Sequence, residues 1–489
     1  MPDISPLLRN FKDIPIPIEC VARGTVPSWL KGTLLRNGPG IFRYGNTEMK
    51  HLFDGHAFVE RYFFEDGKTD THKRCSAADR IVTGEFGTTA FPDPCKTLLQ
   101  RFFSFFTSEP VTDNAVISFA EMGDSVYALA EVPVLVKIDT QSLDVKQSLR
   151  VSDNFYAIHT CTAHQHFDKD GNVFNIGSRV HLVAEVSTKD PAYFHSFGFT
   201  ENHFVLLESP MRMNIMKLAF RRLLGVSIQD CLQWKEGIPT NVIIINSKTG
   251  KQLPYKVTVD TCFTFHHANS YEKDGFLVCD ISSTPNGGTM QELMIEALRK
   301  EYPRAKQVPG MQQKLNRFIV PLEGVETASP GVDLLAGCPF AQECTAVKQQ
   351  DGSVHLSLTQ LSKHALEFPR YNYEYNGREY RFCYGTCDYD DFQQLPAVAK
   401  VDVSNRTSKI WKKDHLDQLV SEPAFIQNPA GTEEDDGRGG ILVVPVMTTR
   451  EGDHPFVVIL DSKEMNEIAR FEIPVDRIAL AFHMLFTQL

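Results

Sequence analysis

Short apolar strands separated by polar turns recur along most of this chain, and this pattern limits the fold more than any other feature. Four segments share one arrangement: an apolar run ends in Asp or Asn, a polar turn follows, and a second run begins; they start at Val134, Val242, Val398 and Val457. A hairpin repeated at wide intervals is typical of the outer strands of propeller blades. Unrelated hairpins of a β-sandwich are the alternative. Either way, the pattern predicts an all-β protein.

Length and charge narrow the class of protein further. The chain has 489 residues, whereas single domains cluster near ~100–150 residues, so we expect several domains or one large closed architecture. Its net charge of −11 argues against a nucleic-acid partner. Eleven cysteines without a repeated spacing indicate a reduced chain without a zinc motif. No apolar run approaches the ~18–20 residues that span a bilayer, and we expect neither a secretory signal nor a transit peptide.

Two segments show a helical pattern of apolar residues. Thr97–Phe106 places its leucines and phenylalanines largely along one side, and Met211–Val226 combines apolar residues with four basic residues and no acid. A basic amphipathic helix in an acidic protein is typical of a segment that lies on a membrane surface. A helix packed on the core, with its basic residues in solvent, is the alternative for each.

Single histidines in aromatic, strand-like surroundings are the candidates for chemistry. They are His164, His195, His266 and His483, out of sixteen histidines in the chain. A buried imidazole needs a polar partner, and a hydrogen-bonded core histidine is the ordinary case. Neutral imidazole also binds iron, copper or zinc. The inner strands of propeller blades converge on one axis, so histidines far apart in sequence can meet there.

Nine ordered motifs carry a resemblance to a known family. In chain order they are Asn37-Gly-Pro-Gly, His51-Leu-Phe-Asp-Gly, Phe91-Pro-Asp-Pro-Cys-Lys, Thr162-Ala-His, His195-Ser-Phe-Gly, Phe265-His-His-Ala-Asn, Glu367-Phe-Pro-Arg, Ser421-Glu-Pro and Phe482-His. With them the chain resembles the carotenoid oxygenases from about residue 15 to its C-terminus. It is most similar to the animal branch, which includes the β-carotene 15,15′- and 9′,10′-cleaving oxygenases and a retinoid isomerase. Segments such as Lys248-Thr-Gly-Lys-Gln-Leu-Pro look most like the 9′,10′ enzyme.

The resemblance implies a fold and a metal site. The fold is a seven-bladed β-propeller with a dome of helices and loops over one face, as a single domain over residues 1–489 with an N-terminal arm of about 1–30. One Fe(II) per chain is held on the propeller axis by His164, His195, His266 and His483. The family has three glutamates that accept hydrogen bonds from these imidazoles, which here are Glu131, Glu367 and Glu422. No catalytic residue beyond this metal centre is implied, and His166 and His267 are expected either to support the ligands from beside them or to be structural.

The resemblance also implies an activity. A carotenoid or apocarotenoid and molecular oxygen are the expected substrates, and cleavage of one double bond, eccentrically at 9′,10′, gives two carbonyl products. A retinoid isomerohydrolase and a carotenoid-binding homologue without turnover are the alternatives. Segments 96–107 and 211–226 correspond to the family's membrane-docking patch, and Cys95 matches a position of lipidation, although a free buried thiol is the alternative. We expect a cytoplasmic, peripherally membrane-associated protein, with a mitochondrial location as the alternative.

Three positions depart from the family pattern. His164 and His195 are only 31 residues apart, whereas family members carry more chain there, so we expect one blade near residues 170–200 to be incomplete. Around the first glutamate the chain has Ala130-Glu131-Val132-Pro133, whereas animal members commonly have Thr-Glu-Thr-Asn, and the missing threonine normally crowds the vacant metal position. Ala481 replaces a glycine before Phe482, a minor change.

Overall fold

The computed structural model describes residues 3–45, 47–65, 68–75, 113–150, 161–176, 182–186, 190–220, 224, 226–299, 313–387, 396–431 and 439–488. Strands dominate these residues, which confirms the expected mainly β class. Helices are few and short in the part of the chain that the structure describes. The α-helices are Ile215–Ala219, Thr289–Glu292 and Ile295–Arg299, and the 3₁₀ turns are Ser5–Leu7, Leu52–Asp54, Gln229–Cys231 and Tyr373–Tyr375.

Among the described residues, seven sheets each contribute a strand, or the residues beside it, to the wall of one central cavity. The first sheet comprises Ile14–Cys20, Lys68–Cys75, His56–Glu65, Gly32–Ile41 and His483–Thr487. The second comprises Val145–Arg150, Val134–Ile138, Ser125–Leu129 and Ser118–Met122. The third comprises His166–Phe167 and Val173–Phe174. The fourth comprises Gly198–Phe199, His203–Glu208, Thr240–Asn246, Val257–Val259, Val354–Leu356 and Ala346–Lys348.

The other three large sheets follow in chain order. The fifth comprises Phe263–Lys273, Phe276–Thr284, Lys314–Pro321 and Thr359–Ala365. The sixth comprises Glu367–Arg370, Phe382–Thr386, Pro396–Asp402 and Thr407–Lys412. The seventh comprises Ala22–Gly24, Glu467–Glu472, Phe456–Asp461, Gly440–Thr448, Gln418–Val420 and Ala424–Gln427. Two ribbons lie outside them and pair Met211–Met213 with Leu232–Trp234 and Arg43–Tyr44 with Thr47–Glu48.

Apolar β-branched runs form the middle strands of these sheets. Gly440–Thr448 is buried at every position after its first, and its valines and isoleucine suit a pleated strand. Phe456–Asp461 pairs with it in antiparallel register and is buried as far as Leu460. Each large apolar side chain buried in this way stabilises the fold by about 1.5–3 kcal/mol. The hairpins predicted from Val134, Val398 and Val457 are confirmed as adjacent antiparallel strands.

The two ends of the chain meet within neighbouring sheets. The C-terminal strand His483–Thr487 pairs with Gly32–Ile41, so that Asn37 lies opposite His483. Ala22–Gly24 pairs with Glu467–Glu472 in the seventh sheet, while Ile14–Cys20 belongs to the first. The expected N-terminal arm therefore contributes strands to both sheets rather than lying apart from them. The division into a single domain stays a prediction.

The third sheet is the smallest of the seven that surround the cavity. It has two described strands, Val173–Phe174 and His166–Phe167, whereas each of the other six has at least four. Residues 182–186 pack beside it through Ala184 and Val186, which contact the aromatic cluster of Phe197, Phe199 and Phe204. The incomplete blade expected near residues 170–200 stays a prediction, because residues 151–160, 177–181 and 187–189 around this sheet lie outside the described part of the chain.

The segment predicted as a helix from Met211 to Val226 is only partly helical. Met211–Met213 is a strand because it pairs with Leu232–Trp234, and the helix begins at Ile215 after Asn214, whose side chain caps the backbone N–H of Lys217. Arg212 is buried against Glu208 at 2.7 Å and does not face a membrane. Residues 221–223 and 225 lie outside the described residues. So do the predicted helix Thr97–Phe106, the segment 96–107 and Cys95.

Candidate metal centre

Four histidines that are far apart in sequence meet at the end of the central cavity. His266 lies on the strand Phe263–Lys273 and His483 begins the C-terminal strand, while His164 and His195 lie just before the first strands of the third and fourth sheets. One ring nitrogen from each can be chosen so that all four lie within 4.8 Å of one another. The structure thus brings together the four histidines named from the sequence as candidate metal ligands.

Two close pairs of imidazole nitrogens define the geometry of this cluster. The Nε2 atoms of His164 and His195 are 3.1 Å apart, and those of His266 and His483 are 3.2 Å apart. A metal with ligand bonds near ~2.1–2.2 Å brings adjacent ligand nitrogens to about 3 Å and opposite ones to about 4.3 Å. The spacing of the two close pairs therefore fits neighbouring ligands of one ion.

A carboxylate accepts a hydrogen bond from the other ring nitrogen of three of these histidines. The Nδ1–Oε1 distances are 2.6 Å for His195 and Glu131, 3.0 Å for His266 and Glu367, and 2.9 Å for His483 and Glu422. Such partners fix the tautomer and the orientation of a metal-binding imidazole and raise its basicity. All three glutamates named from the sequence therefore contact the histidines.

These carboxylates determine where the neutral rings carry their proton. A carboxylate only accepts, so in neutral His266 and His483 the proton lies on Nδ1 and the lone pair on Nε2. The two Nε2 lone pairs then face each other at 3.2 Å, an arrangement that repels unless a cation lies between them. The donor set therefore fits a divalent metal ion that favours imidazole nitrogen.

Burial favours the neutral, metal-binding form of His164 and His483. Burial, together with the neighbouring imidazoles, holds the pKa of His164 well below its usual value. Burial also lowers the pKa of His483 to about 4, although Glu422 acts in the opposite direction. Burial alone would raise the pKa of Glu422, but Arg370 and His483 hold it below its usual value, so this carboxylate stays ionised.

Aromatic rings that the sequence did not single out surround the metal site. Phe53 stacks on His195 with ring centroids 6.1 Å apart and contacts Phe265 and Phe482 edge-on. We call these three side chains the phenylalanine cluster. It continues into a second apolar group that includes Met211, Leu232, Phe263 and Met290. The available signal was their place in the motifs: Phe265 and Phe482 directly precede His266 and His483, and Phe53 follows His51 by two positions.

Two further residues support the site in ways that only the structure shows. Tyr193 donates its hydroxyl hydrogen to Glu131 Oε1 at 2.6 Å, so Glu131 holds both Tyr193 and His195. Phe368 has a φ of +51°, which costs about 1–3 kcal/mol for a residue other than glycine. Its ring lies 5.3 Å from that of His266, and its backbone N–H donates to Glu367 Oε2 at 2.8 Å.

Neighbouring residues that could compete for a metal have other partners. Phe197 O is 2.9 Å from His166 Nε2, and Ser196 Oγ is 2.8 Å from His267 Nδ1, in keeping with the structural roles expected. Cys338, Cys344, Cys383 and Cys387 take part in no disulfide among the described residues. The described residues contain no metal-binding group that includes them. No helix in the described part of the chain is long and apolar enough to cross a membrane.

Comparisons with known proteins give this geometry a context. The family model described as retinal pigment epithelial membrane protein matches residues 8–488. A mitochondrial carotenoid-cleaving dioxygenase of Mustela putorius furo is 31% identical over 99% of this chain and 96% of its own. A beta,beta-carotene 15,15′-dioxygenase of Gallus gallus is 32% identical over 96% of this chain and 95% of its own.

Solved structures share the fold over the whole chain. Cobalt-substituted Synechocystis ACO aligns with a TM-score of 0.74 at 18% identity and covers 100% of both chains. A point mutant of the Synechocystis apocarotenoid oxygenase gives 0.75 at the same identity, over 100% of this chain and 99% of its own. Together with the match over residues 8–488, these results show that the chain belongs to the retinal pigment epithelial membrane protein family, the family of the carotenoid oxygenases.

Proposed function

We propose that this protein is an Fe(II)-dependent dioxygenase that cleaves one double bond of a carotenoid or apocarotenoid. The observation that carries the proposal is the cluster of four histidines, three of them held by carboxylates. The curated relatives are named carotenoid-cleaving dioxygenases, and the Synechocystis protein of the same fold exists in a cobalt-substituted form. In the overall reaction both atoms of dioxygen are incorporated, so one carbon–carbon double bond becomes two carbonyl groups.

His164, His195, His266 and His483 would hold the iron, one ion per chain. When bound, Fe(II) would supply the activation of dioxygen that scission of the double bond requires. Glu131, Glu367 and Glu422 keep the imidazole protons on Nδ1 and leave Nε2 free to bind the metal. No side chain needs to act as a nucleophile or an acid, so no further catalytic residue is proposed.

The phenylalanine cluster defines the substrate side of this proposed site. Phe53, Phe265 and Phe482 give an apolar wall next to His195, which suits a hydrocarbon polyene and excludes water from it. Ala130 extends this wall because it packs in the same core group as Phe53 and Phe482. A threonine at this position would bring a hydroxyl group to the site, whereas Ala130 offers none.

We also propose that the seven sheets are the blades of one β-propeller whose axis passes through the central cavity. Each of the seven site residues comes from a different sheet or from the segment next to it. In sheet order they are His483, Glu131, His164, His195, His266, Glu367 and Glu422. A closed ring of sheets is the arrangement that lets single residues from seven sheets converge at one point.

The test of the proposed activity combines metal analysis with product analysis. The purified protein, analysed for iron, is incubated in air with β-carotene or a xanthophyll, and the products are separated by chromatography with mass detection. We expect about one iron per chain and apocarotenal products of 9′,10′ cleavage. Production of retinal would instead assign 15,15′ cleavage. Isomerised retinol from a retinyl ester, or a carotenoid that stays bound and unchanged, would replace the proposal with the isomerohydrolase or binding alternative.

We further propose that the substrate is taken from a membrane through the exposed apolar residues near the helix Ile215–Ala219. Met216 is 67% exposed and Leu224 58%, and such side chains can insert among lipids. The double variant Met216→Ser, Leu224→Ser should lose liposome binding in a sedimentation assay, while a control with Val145→Ser and Val332→Ser retains it. We propose that the protein binds the cytoplasmic surface of a membrane. Co-fractionation with mitochondria, the location in the name of one relative, would replace this proposal with a mitochondrial location.

A further inference from the structure

The central cavity reaches the histidine cluster from a side that the phenylalanine cluster does not occupy. It has a volume of about 690 Å³, and its wall includes His164, His266 and His483. None of the three members of the phenylalanine cluster lines it, and neither does His195. The phenylalanine cluster therefore borders the proposed metal site on a side other than this cavity, whose own wall mixes aromatic with polar and charged residues.

Exposure along the cavity shows that it opens to solvent at the end remote from the histidines. The cavity is lined at one end by His164, His266 and His483. His266 is 7% exposed and His483 5%, and His164 is partly buried. At the other end, Glu121, Glu374 and Gln488 are exposed, and Tyr373 is 49% exposed. The cavity is thus a passage from solvent to the metal site.

The charges along this passage favour a cation. Among the described residues, its charged lining apart from histidine consists of Glu121, Glu374 and Glu422 against one arginine, Arg370. Arg370 Nη1 lies 3.9 Å from Glu422 Oε1, so Glu422 offsets the positive charge nearest to the cluster. The two glutamates at the mouth remain as negative charges, and a cleft lined by one sign of charge attracts oppositely charged ions and speeds their entry.

Unpaired polar groups beside the cluster suit a hydrated ion in transit. Gln165 Nε2 and His267 Nε2 are buried without a hydrogen-bond partner in the structure, and both residues line the cavity. Polar atoms in such a position are normally satisfied by water.

We propose that the central cavity is the port through which the divalent metal ion enters the four-histidine site, with Glu121 and Glu374 attracting it at the mouth. This inference rests on the proposed metal centre. It separates the metal route from the substrate route, so the metal can load while the apolar side is occupied.

Cobalt(II) binding to the full chain, freed of metal by a chelator, tests the port directly. Loading is followed by the visible absorption of the cobalt–imidazole complex after rapid mixing. For the double variant Glu121→Lys, Glu374→Lys we expect loading to be about 10-fold slower at low ionic strength. The difference should nearly vanish at high salt because screening removes steering at the surface. The final cobalt content should equal that of the wild type, since no ligand has changed.

The matched control is the double variant Glu326→Lys, Glu451→Lys, which makes the same change of net charge at exposed positions outside the cavity. We expect it to load at nearly the wild-type rate. Equal slowing in both double variants, or no slowing in either, would overturn the port. So would a mouth variant that loads normally but has a raised KM for an apocarotenoid, because the cavity would then be the substrate route. A wild-type chain that binds no cobalt would instead remove the proposed metal centre itself.

Discussion

Single hydrogen bonds decide whether the histidine cluster can bind a metal. Glu131, Glu367 and Glu422 each contact one imidazole Nδ1, and Glu422 also accepts from the backbone N–H of Met484 at 2.7 Å. The carboxylate charge is what distinguishes these residues from an ordinary polar neighbour, because it holds the proton on Nδ1 and strengthens the donor atom Nε2.

Replacing any one of these glutamates by glutamine should therefore weaken metal binding without unfolding the chain. We expect metal affinity to fall about 10–100-fold in each of Glu131→Gln, Glu367→Gln and Glu422→Gln. Metal content after dialysis and a thermal melt would be measured together. Glu451→Gln, at an exposed position, is the control and should match the wild type. Full metal retention in all three variants would show that the carboxylates only pack beside the rings.

A second residue prediction concerns Glu272, which joins the fourth and fifth sheets. It accepts hydrogen bonds from His203 Nδ1 at 2.9 Å and Asn202 Nδ2 at 3.0 Å, and from Thr200. Burial acts to raise the pKa of Glu272, but these donors outweigh it and lower the pKa to about 2. A carboxyl with a depressed pKa stabilises the fold above its ordinary value near pH 4.5 and loses that effect as the pH falls toward 2.

The variant Glu272→Gln should thus cost about 1–2 kcal/mol of unfolding free energy at pH 7. The difference in unfolding free energy between wild type and variant should narrow as the pH falls from 5 to 4, because only the wild type has a carboxyl group at position 272 that gains a proton on unfolding. Urea unfolding at pH 7, 5 and 4 measures this difference. Glu201→Gln, at an exposed position nearby, is the control. A gap that stays constant or widens toward pH 4 would contradict the assigned pKa.

At the scale of elements, the third sheet has the fewest described strands of the sheets that line the cavity. It has two described strands, and residues beside it carry both His164 and His195, whose Nε2 atoms are 3.1 Å apart. Strands at the edge of a sheet leave backbone groups unpaired. The segment 182–186 packs between the third and fourth sheets. Ala184 and Val186 contact the aromatic cluster of Phe197, Phe199 and Phe204, and Val183 O lies close to Gly250.

A family-length insert between Gly177 and His195 should therefore raise the melting temperature and slow metal loss. The inserted strands would complete the third sheet and hold His164 and His195 more firmly. Melting curves and metal release to a chelator would be compared with those of a Gly/Ser insert of equal length at the same place, which adds chain but no strand. If the unmodified protein is as stable and retains its metal as well, the short segment is a tolerated trim of a loop.

At the scale of the whole molecule, strands from the two ends of the chain pair with strands from the other end. The strand Ala22–Gly24 connects the N-terminal segment to the seventh sheet, and the C-terminal strand completes the first. Gly24 has a φ of +94° and lies so close to the backbone of Ile468 that a Cβ would clash with its carbonyl oxygen. A residue with a side chain can fit there only if the two strands separate.

Gly24→Ala should consequently destabilise the whole fold by about 2–4 kcal/mol. Gly123→Ala is the matched control, because Gly123 also has a positive φ, of +58°, but a Cβ there would meet nothing within 4 Å. Its cost should stay near ~1 kcal/mol. Urea unfolding followed by circular dichroism measures both. Equal losses in the two variants would mean that backbone conformation, and not closure of the ring of sheets, determines the effect.

The sequence by itself determined the strands, the candidate histidines and the family. Strand formation follows from local alternation of apolar and turn-forming residues, and the motifs around His164, His195, His266 and His483 are contiguous in the chain. Sequence alone was wrong about Met211–Met213, where pairing with Leu232–Trp234 overrides a helical pattern. Local pattern does not contain the partner strand, so no periodicity could show this.

Only the tertiary structure decided how the site is assembled and what surrounds it. The close approach of His266 and His483, 217 positions apart, arises because sheets from opposite parts of the chain close around one cavity. The same closure places Tyr193 on Glu131 and opens a passage to solvent between Glu121 and Glu374. Each of these features joins different sheets, and contacts between sheets depend on packing that no single stretch of sequence encodes.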